Sequence, residues 1–132
     1  NIRISTGEEL RQLEYSQRLK HRGRAVLAEP GGSVGRRLYD IALAGGAQAL
    51  GRDSGAIAPG KWADLVALDA DVLSGSRKGD GLIDAFVFTA DRSAVTDVWS
   101  AGRHSVQAGR HVARAALAAR YARTLSRLTD LS

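Results

Sequence analysis

Residues 5–27 carry apolar and polar positions with a helical period. Ser5 and Glu8 have the spacing of a capping box, in which the serine hydroxyl accepts a free backbone N–H and the glutamate reaches back. The pattern predicts a helix over about residues 6–27. Its apolar residues lie on two almost opposite sides of a helical wheel: Leu10 and Leu13 on one, Tyr15 and Leu19 on the other. A helix of this kind needs neighbours on two sides.

A second helix is predicted after the break at Pro30-Gly31-Gly32, with Ser33 placed as its cap. Four of its residues follow i, i+3, i+4, i+7 spacing and predict a stripe facing the core: Leu38, Ile41, Ala42 and Gly45. Pro59-Gly60 then predicts a type II turn, because proline presets φ at the second position and glycine tolerates the positive φ that follows. The apolar, β-prone run over residues 63–68 predicts a strand.

Further strands are predicted in the second half of the chain. Residues 82–89 place Phe86 and Phe88 on one face, and residues 95–100 run back beside them. Ala101-Gly102-Arg103 predicts a tight hairpin into residues 104–106. These strands are too few to cover both of their faces, so the sheet needs a partner segment that this sequence does not contain.

The net charge of +5 is concentrated at the end of the chain. From Arg110 onward there are five arginines and one acidic residue, Asp130, whereas the other 109 residues hold 14 basic and 13 acidic ones. The predicted terminal helix has an apolar stripe, formed by Leu117, Tyr121, Leu125 and Leu128, and arginines on the opposite side at 120, 123 and 127. The pattern predicts a helix that docks its stripe and leaves its arginines in water. Phosphate binding by a stand-alone basic module, with a nucleic acid as partner, is the less favoured alternative.

Composition adds three expectations. The chain has no Cys, which excludes disulfides and thiolate metal sites and is compatible with a reducing cytoplasm. It has no Met and begins with Asn, so we expect a piece of something longer. No run approaches the roughly 18 apolar residues of a membrane span, so no membrane partner is predicted.

A family resemblance rests on the sequence GAIAPGKWADLVALD over residues 55–69. It resembles the segment by which metal-dependent amidohydrolases pass from their (β/α)8 barrel into a small β-sandwich. A narrower similarity, to a deiminase branch of that superfamily, rests on EELRQLEYSQRL over residues 8–19, VTDVWSAGR over residues 95–103 and GRH over residues 109–111. The first motif is specific for the superfamily, and the other stretches carry the narrower assignment.

The resemblance implies an α/β fold class. Residues 1–54 would be the last helices of the barrel, residues 55–109 the C-terminal strands of the β-sandwich, and residues 110–132 a terminal amphipathic helix. The partner strands of the sheet would then come from the N-terminal part of the same protein. A homodimer is also implied.

The resemblance places the catalytic metal, zinc or a similar divalent ion, outside this chain. Family ligands are a His-x-His, two further histidines and an aspartate, and the three histidines here, His21, His104 and His111, match none of these motifs. The chain would begin just after the last ligand, so we expect no metal, no catalytic residue and no activity in this chain alone. Only Asn1 and Arg3 are expected near the substrate.

The implied parent reaction is hydrolysis of the small molecule N-formimino-L-glutamate to N-formyl-L-glutamate and ammonia, a cytoplasmic step of histidine degradation. A metal-bound water of lowered pKa would attack the formimino carbon, and an acid would protonate the leaving nitrogen. Deaminases of cytosine or guanine and triazine hydrolases share the superfamily motif and stay open as alternatives.

Other residues that could suggest catalysis have structural interpretations that we favour. Asp64 is predicted to accept backbone N–H groups at the turn before its strand. Trp62 and Trp99 are predicted as core or interface aromatics. We expect His104 on the surface of a hairpin and a structural hydrogen bond for His111. Glu14 and Tyr15 are assigned to packing or a subunit contact, with an exposed Glu14–Arg18 pair one helical turn apart.

Overall fold

The structure, a computed structural model, describes residues 4–75, 77–90 and 92–130. Its helices are α1 (Thr6–His21), α2 (Val34–Leu50), α3 (Ala70–Ser74), α4 (Asp80–Phe88) and α5 (Arg114–Thr129), with a 3-10 turn over Arg92–Ala94. Its strands are β1 (Leu65–Leu68), β2 (Val95–Ser100), β3 (Arg103–Gln107) and β4 (Arg110–His111). No helix of the described ranges is long and apolar enough to cross a membrane.

The serine half of the predicted capping box at Ser5 and the predicted cap at Ser33 are confirmed. The Ser5 hydroxyl accepts a hydrogen bond from the Glu8 N–H at 3.4 Å, and the Ser33 hydroxyl accepts one from the Arg36 N–H at 3.0 Å. Each bond satisfies a first-turn donor that the helix itself leaves unpaired.

The predicted length of α1 is wrong. The helix ends at His21 rather than near residue 27, because Arg22 adopts a left-handed conformation with φ 50°. The chain beyond folds back, and its backbone N–H groups at Val26 and Leu27 reach a side chain of α1. A contact across 12 residues therefore decides where this helix stops.

The predicted strand over residues 82–89 is also wrong, since the same residues form α4. A short apolar run fits a buried strand and a buried helix equally well, and periodicity alone does not separate them. In α4 the consecutive residues Ala85, Phe86 and Val87 are all buried, which is the pattern of a helix with neighbours on several sides. Those neighbours are α1, α2 and α3.

One hydrophobic core joins α1, α2, α3 and α4 to the 3-10 turn before β2. Its fully or nearly buried members come from the helices and from the 3-10 turn: Leu10, Val34, Leu38, Leu73, Ala85, Phe86, Val87 and Ala94. Residues on both sides of the proposed boundary at residue 54 contribute to this core. The proposed division into three segments stays a prediction.

The core-facing stripe of α2 is shorter than predicted. Leu38 is fully buried, but Ile41, Ala42 and Gly45 are exposed. The buried residues of α2 all lie in its first half, whereas in its second half Ile41 and Leu50 are 43% and 68% exposed and only Leu43 and Ala47 are half-buried, next to Gly55. Helix α1 likewise has an exposed apolar side chain, because Leu19 is 82% exposed.

The strands form one antiparallel sheet in the order β1-β2-β3-β4. The predicted hairpin is confirmed, because Ser100 pairs with Arg103 across a two-residue loop in which Ala101 and Gly102 have φ 51° and 77°. Positive φ at both loop positions matches the twist of the flanking strands. The predicted type II turn is confirmed by Gly60 at φ 83° and by the Lys61 N–H donating to the Ala58 carbonyl.

The terminal helix α5 was predicted to dock its apolar stripe. Within the described residues no side chain of α5 is buried. Leu117, Tyr121 and Leu125 are 52%, 69% and 47% exposed. A terminal helix is therefore present, but it begins at Arg114 because Arg110 and His111 form β4, and the described residues do not supply a surface on which its stripe would dock.

Candidate functional site

The two residues expected near the substrate, Asn1 and Arg3, lie outside the described residues. Their role stays a prediction.

His104 belongs to a polar cluster on the β2–β3 hairpin. Its Nε2 lies 2.7 Å from Asp97 Oδ1, its Nδ1 lies 3.2 Å from Gln107 Nε2, and its ring stacks on Trp99 with centroids 4.3 Å apart. The hydrogen bond to His104, followed by one from the Thr96 hydroxyl, holds the pKa of Asp97 below its usual value. Both ring nitrogens are engaged, so His104 ties the two strands together.

His111 makes the structural hydrogen bond predicted for it. Its Nδ1 accepts from the Ala113 N–H at 3.1 Å, just before α5 begins. His21 is exposed in the last turn of α1. Among the described residues, no three His, Cys, Asp or Glu side chains come close enough to hold a metal ion. These residues therefore do not fit a metal centre.

Glu14 is a buried anchor rather than the surface residue that was predicted. Its side chain is fully shielded from solvent, and Oε1 accepts from Arg18 Nε at 2.7 Å and from the Val26 N–H at 3.0 Å. Oε2 accepts from the Leu27 N–H at 3.2 Å. Burial raises the pKa of Glu14, but these three donors together lower it below its usual value. The carboxylate thus holds the loop after α1 in place.

Tyr15 packs as predicted. Its ring stacks on Phe88 of α4 at 6.2 Å between centroids, and the Arg18 guanidinium lies over both rings at 5.3 and 5.4 Å. This cation–π contact joins α1 to α4 next to the Glu14 anchor.

Asp64 accepts a backbone N–H as predicted, but from a distant segment rather than from the turn before its strand. Oδ1 accepts from the Ala101 N–H at 2.8 Å, which fixes the tip of the β2–β3 hairpin. Oδ2 lies 3.5 Å from Arg52 Nη2, and the Arg52 guanidinium covers the Trp62 ring at 4.6 Å. Asp64 therefore connects three segments structurally, and Trp62 is half exposed beside it.

Two structural contacts were missed at the sequence level. Asp84 of α4 accepts from the Gly35 N–H at 2.7 Å and from the Ser33 hydroxyl at 2.9 Å, which joins it to the first turn of α2. Arg11 donates to the α4 carbonyl of Val87 at 2.9 Å and to the Ala90 carbonyl at 3.1 Å. Neither contact could be found while residues 82–89 were interpreted as a strand, because both depend on α4.

A cavity of about 300 Å³ lies between the start of α1, the end of α4 and the sheet. Its lining is Ile4, Ser5, Thr6, Gly7, Phe86, Ala90, Val95, Val98, Val106 and Gly109. None of these side chains exchanges a proton near neutral pH, and the Ser5 hydroxyl already caps α1. The cavity therefore lacks the acid and base that a hydrolytic site needs.

Comparison with known proteins decides the family. A sequence model described as the amidohydrolase family matches residues 3–104. The chain belongs to the amidohydrolase family. This confirms the resemblance drawn from the motif over residues 55–69.

The amidohydrolase match extends to individual proteins. The formimidoylglutamate deiminase of Pseudomonas aeruginosa is 43% identical over 132 residues, which cover 98% of this chain and 29% of that protein. The crystal structure of an amidohydrolase from Brucella melitensis aligns with a TM-score of 0.83 and 44% identity, covering 97% of this chain and 28% of that chain. This amidohydrolase chain thus spans less than a third of the length of either relative, and it shares its mixed α/β arrangement with the second.

Proposed function

We propose that this chain is the scaffolding segment of a deiminase that hydrolyses N-formimino-L-glutamate to N-formyl-L-glutamate and ammonia. The observation that carries the proposal is the 43% identity over 98% of the chain to a formimidoylglutamate deiminase. At this identity over nearly the whole chain, the segment is expected to have the same place in the parent enzyme.

The reaction adds water to the formimino carbon and breaks its bond to the terminal nitrogen, which leaves as ammonia. It needs a base for the water proton and an acid for the leaving nitrogen. On this proposal, residues outside the described ones supply the base and the acid. They also hold the divalent metal, which we expect to be zinc. The described residues contribute rigidity through the anchors at Glu14, Asp64 and Asp84.

We assign the segments as the family resemblance implies. Residues 1–54 would be the last helices of a (β/α)8 barrel, residues 55–109 a β-sandwich portion, and residues 110–132 a terminal helix. The uncovered sides of α1 and α2 support this assignment, since the outer helices of a barrel contact neighbours on more than one side. A place in histidine degradation, a cytoplasmic location and a homodimeric parent complete the proposal.

A segment exchange tests the proposal. The matching segment of the Pseudomonas aeruginosa enzyme is replaced by these 132 residues, and ammonia release from N-formimino-L-glutamate is measured beside cytosine and guanine. We expect the chimera to act on N-formimino-L-glutamate and not on the two bases. The chain alone, assayed with added zinc, is expected to give no turnover.

A chimera carrying Leu50→Ala, an exposed position on α2, serves as the matched control for substitutions in the exchanged segment. Circular dichroism and metal content establish that each chimera is folded and loaded. A folded, loaded chimera that has lost activity on N-formimino-L-glutamate would contradict the assignment. Turnover by the 132-residue chain would contradict the scaffolding role.

A further inference from the structure

The first two turns of α1 rest on the C-terminal end of α4. Gly7 is buried there, and a Cβ at that position would lie 3.1 Å from the Phe86 carbonyl oxygen. One turn further on, Arg11 donates from Nε to the Val87 carbonyl at 2.9 Å and from Nη2 to the Ala90 carbonyl at 3.1 Å. A close backbone approach and two charge-assisted hydrogen bonds therefore join α1 to a helix that is distant in sequence.

Arg11 suits this position because a helix leaves its last four carbonyls without a partner inside the helix. Val87 lies in the last turn of α4, which ends at Phe88. The positive guanidinium also lies at the negative end of the α4 dipole. Its fork of N–H donors reaches two carbonyls at once, whereas a lysine ammonium would act as a point charge. Arg11 thus serves as a cap for α4 and as an anchor for α1.

Packing within the described residues leaves a void where the chain enters α1. Residues 4–7 line one side of the cavity of about 300 Å³, while Phe86, Ala90 and three valines of the sheet line the other side. Atoms that border a void lack contact partners on that side and gain less dispersion energy. The position of residues 4–6 therefore depends on the contacts that Gly7 and Arg11 make next to the cavity.

We propose that Arg11 is a positioning residue for the deiminase reaction, because it holds the start of α1 on the end of α4. The inference rests on the proposed function. In a (β/α)8 barrel each helix follows the C-terminal end of a strand, and that face of the barrel carries the active site. On the proposed assignment the start of α1 lies at this face, and Asn1 and Arg3 before it are expected near the substrate. Arg11 acts through this segment and not on the substrate itself.

The expected kinetic effect is on substrate binding. Residues 1–5 are Asn, Ile, Arg, Ile and Ser, and none of these types is a usual general acid or base. A shift of the start of α1 is therefore expected to weaken substrate binding and to leave the proton transfers intact. In the chimera that carries these 132 residues, we expect Arg11→Met to raise KM for N-formimino-L-glutamate about tenfold and to change kcat less than about threefold.

Two further variants separate positioning from a general loss of stability. Arg11→Lys keeps the charge at the end of α4 and one hydrogen bond, so KM is expected to return to within about threefold of the unsubstituted chimera. Arg18→Met is the matched control, because Arg18 also bonds within the core, to Glu14, but lies two turns farther from the start of α1. It is expected to lower stability without changing KM.

Gly7→Ala perturbs the same contact from the side of α1. Its Cβ would press on the Phe86 carbonyl, a backbone group that cannot rotate away, so the start of α1 has to move by a few tenths of an ångström. We expect KM to rise and kcat to be kept, as for Arg11→Met, but to a smaller extent. Circular dichroism and metal content are measured for every variant, so that only folded, metal-loaded enzymes are compared.

The outcomes decide the inference in either direction. A KM that rises in Arg11→Met, recovers in Arg11→Lys and stays unchanged in Arg18→Met supports it, and Gly7→Ala replaces Arg11→Met in this comparison if the latter does not fold. An active chimera in which Arg11→Met leaves KM unchanged, lowers kcat instead or behaves like Arg18→Met overturns the inference alone. An unsubstituted chimera that is folded, loaded and inactive overturns the proposed function, and the inference with it.

Discussion

Replacing the buried carboxylate of Glu14 by an amide provides the sharpest test of the described core. Glu14→Gln keeps the size of the side chain but turns one of its two acceptor oxygens into a donor. Oε1 serves Arg18 and Val26, and Oε2 serves Leu27. At least one of the three bonds is therefore lost, and the backbone N–H of Leu27 faces another donor.

The expected cost follows from these contacts. Leaving a buried donor unsatisfied costs about 1–3 kcal/mol, and the remaining bonds lose the extra strength of a charged acceptor, about 1 kcal/mol. Arg18 is 33% exposed, so water compensates in part for the weaker hydrogen bond that Arg18 makes to the amide. The neutral amide is also easier to bury. We expect Glu14→Gln to lower the free energy of unfolding by about 2–3 kcal/mol at pH 7, a large share of the roughly 5–15 kcal/mol typical of a domain.

The effect has a defined pH dependence. The pKa of Glu14 is lowered in the folded chain from its ordinary value of 4.5. Its stabilising contribution is therefore complete above about pH 4.5 and is lost as the pH falls through the lowered pKa. The Glu14→Gln variant has no titrating group at this position. The difference in unfolding free energy between the original chain and the variant should therefore become smaller as the pH falls over that acidic range.

Urea unfolding, monitored by circular dichroism, measures this difference in unfolding free energy at pH 7 and at successively lower pH. Glu9→Gln is the matched control, because Glu9 is an exposed glutamate of the same helix. Its substitution is expected to change the unfolding free energy by about 0.5 kcal/mol or less. The reasoning fails if Glu14→Gln behaves like Glu9→Gln at pH 7, or if its deficit stays constant on acidification.

Two further predictions concern α2, and urea unfolding measures both. Leu38→Ala removes a fully buried side chain and should lower the free energy of unfolding by about 3–4 kcal/mol. Leu50→Ala, at a position 68% exposed, should lower it by less than about 1 kcal/mol. Equal effects would contradict the assigned core. Gly35→Ala would place a Cβ 2.7 Å from the backbone Cα of Asp84 and should cost more than about 2 kcal/mol. Gly45→Ala, with open space around it, should instead stabilise the helix by up to about 1 kcal/mol, and the same sign for both substitutions would refute the close approach of α2 and α4.

The sequence by itself determined the features that depend on a few neighbouring residues. The caps at Ser5 and Ser33, the turn at Gly60 and the hairpin at Ala101-Gly102 are set by hydrogen bonds and φ preferences within two to four positions. The family motif over residues 55–69 is local in the same sense. Such features can be predicted from a single sequence because the interacting groups are close along the chain.

Only the tertiary structure decided the features that depend on distant partners. Residues 82–89 became a helix because neighbours on several sides bury Ala85, Phe86 and Val87, and an apolar run does not specify how many sides will be covered. Glu14 became a buried anchor through backbone groups 12 and 13 residues away, and Asp64 found its donor 37 residues away. A charged side chain is ordinarily exposed, and it is buried where donors from other segments satisfy it. Those donors come together only when the chain folds.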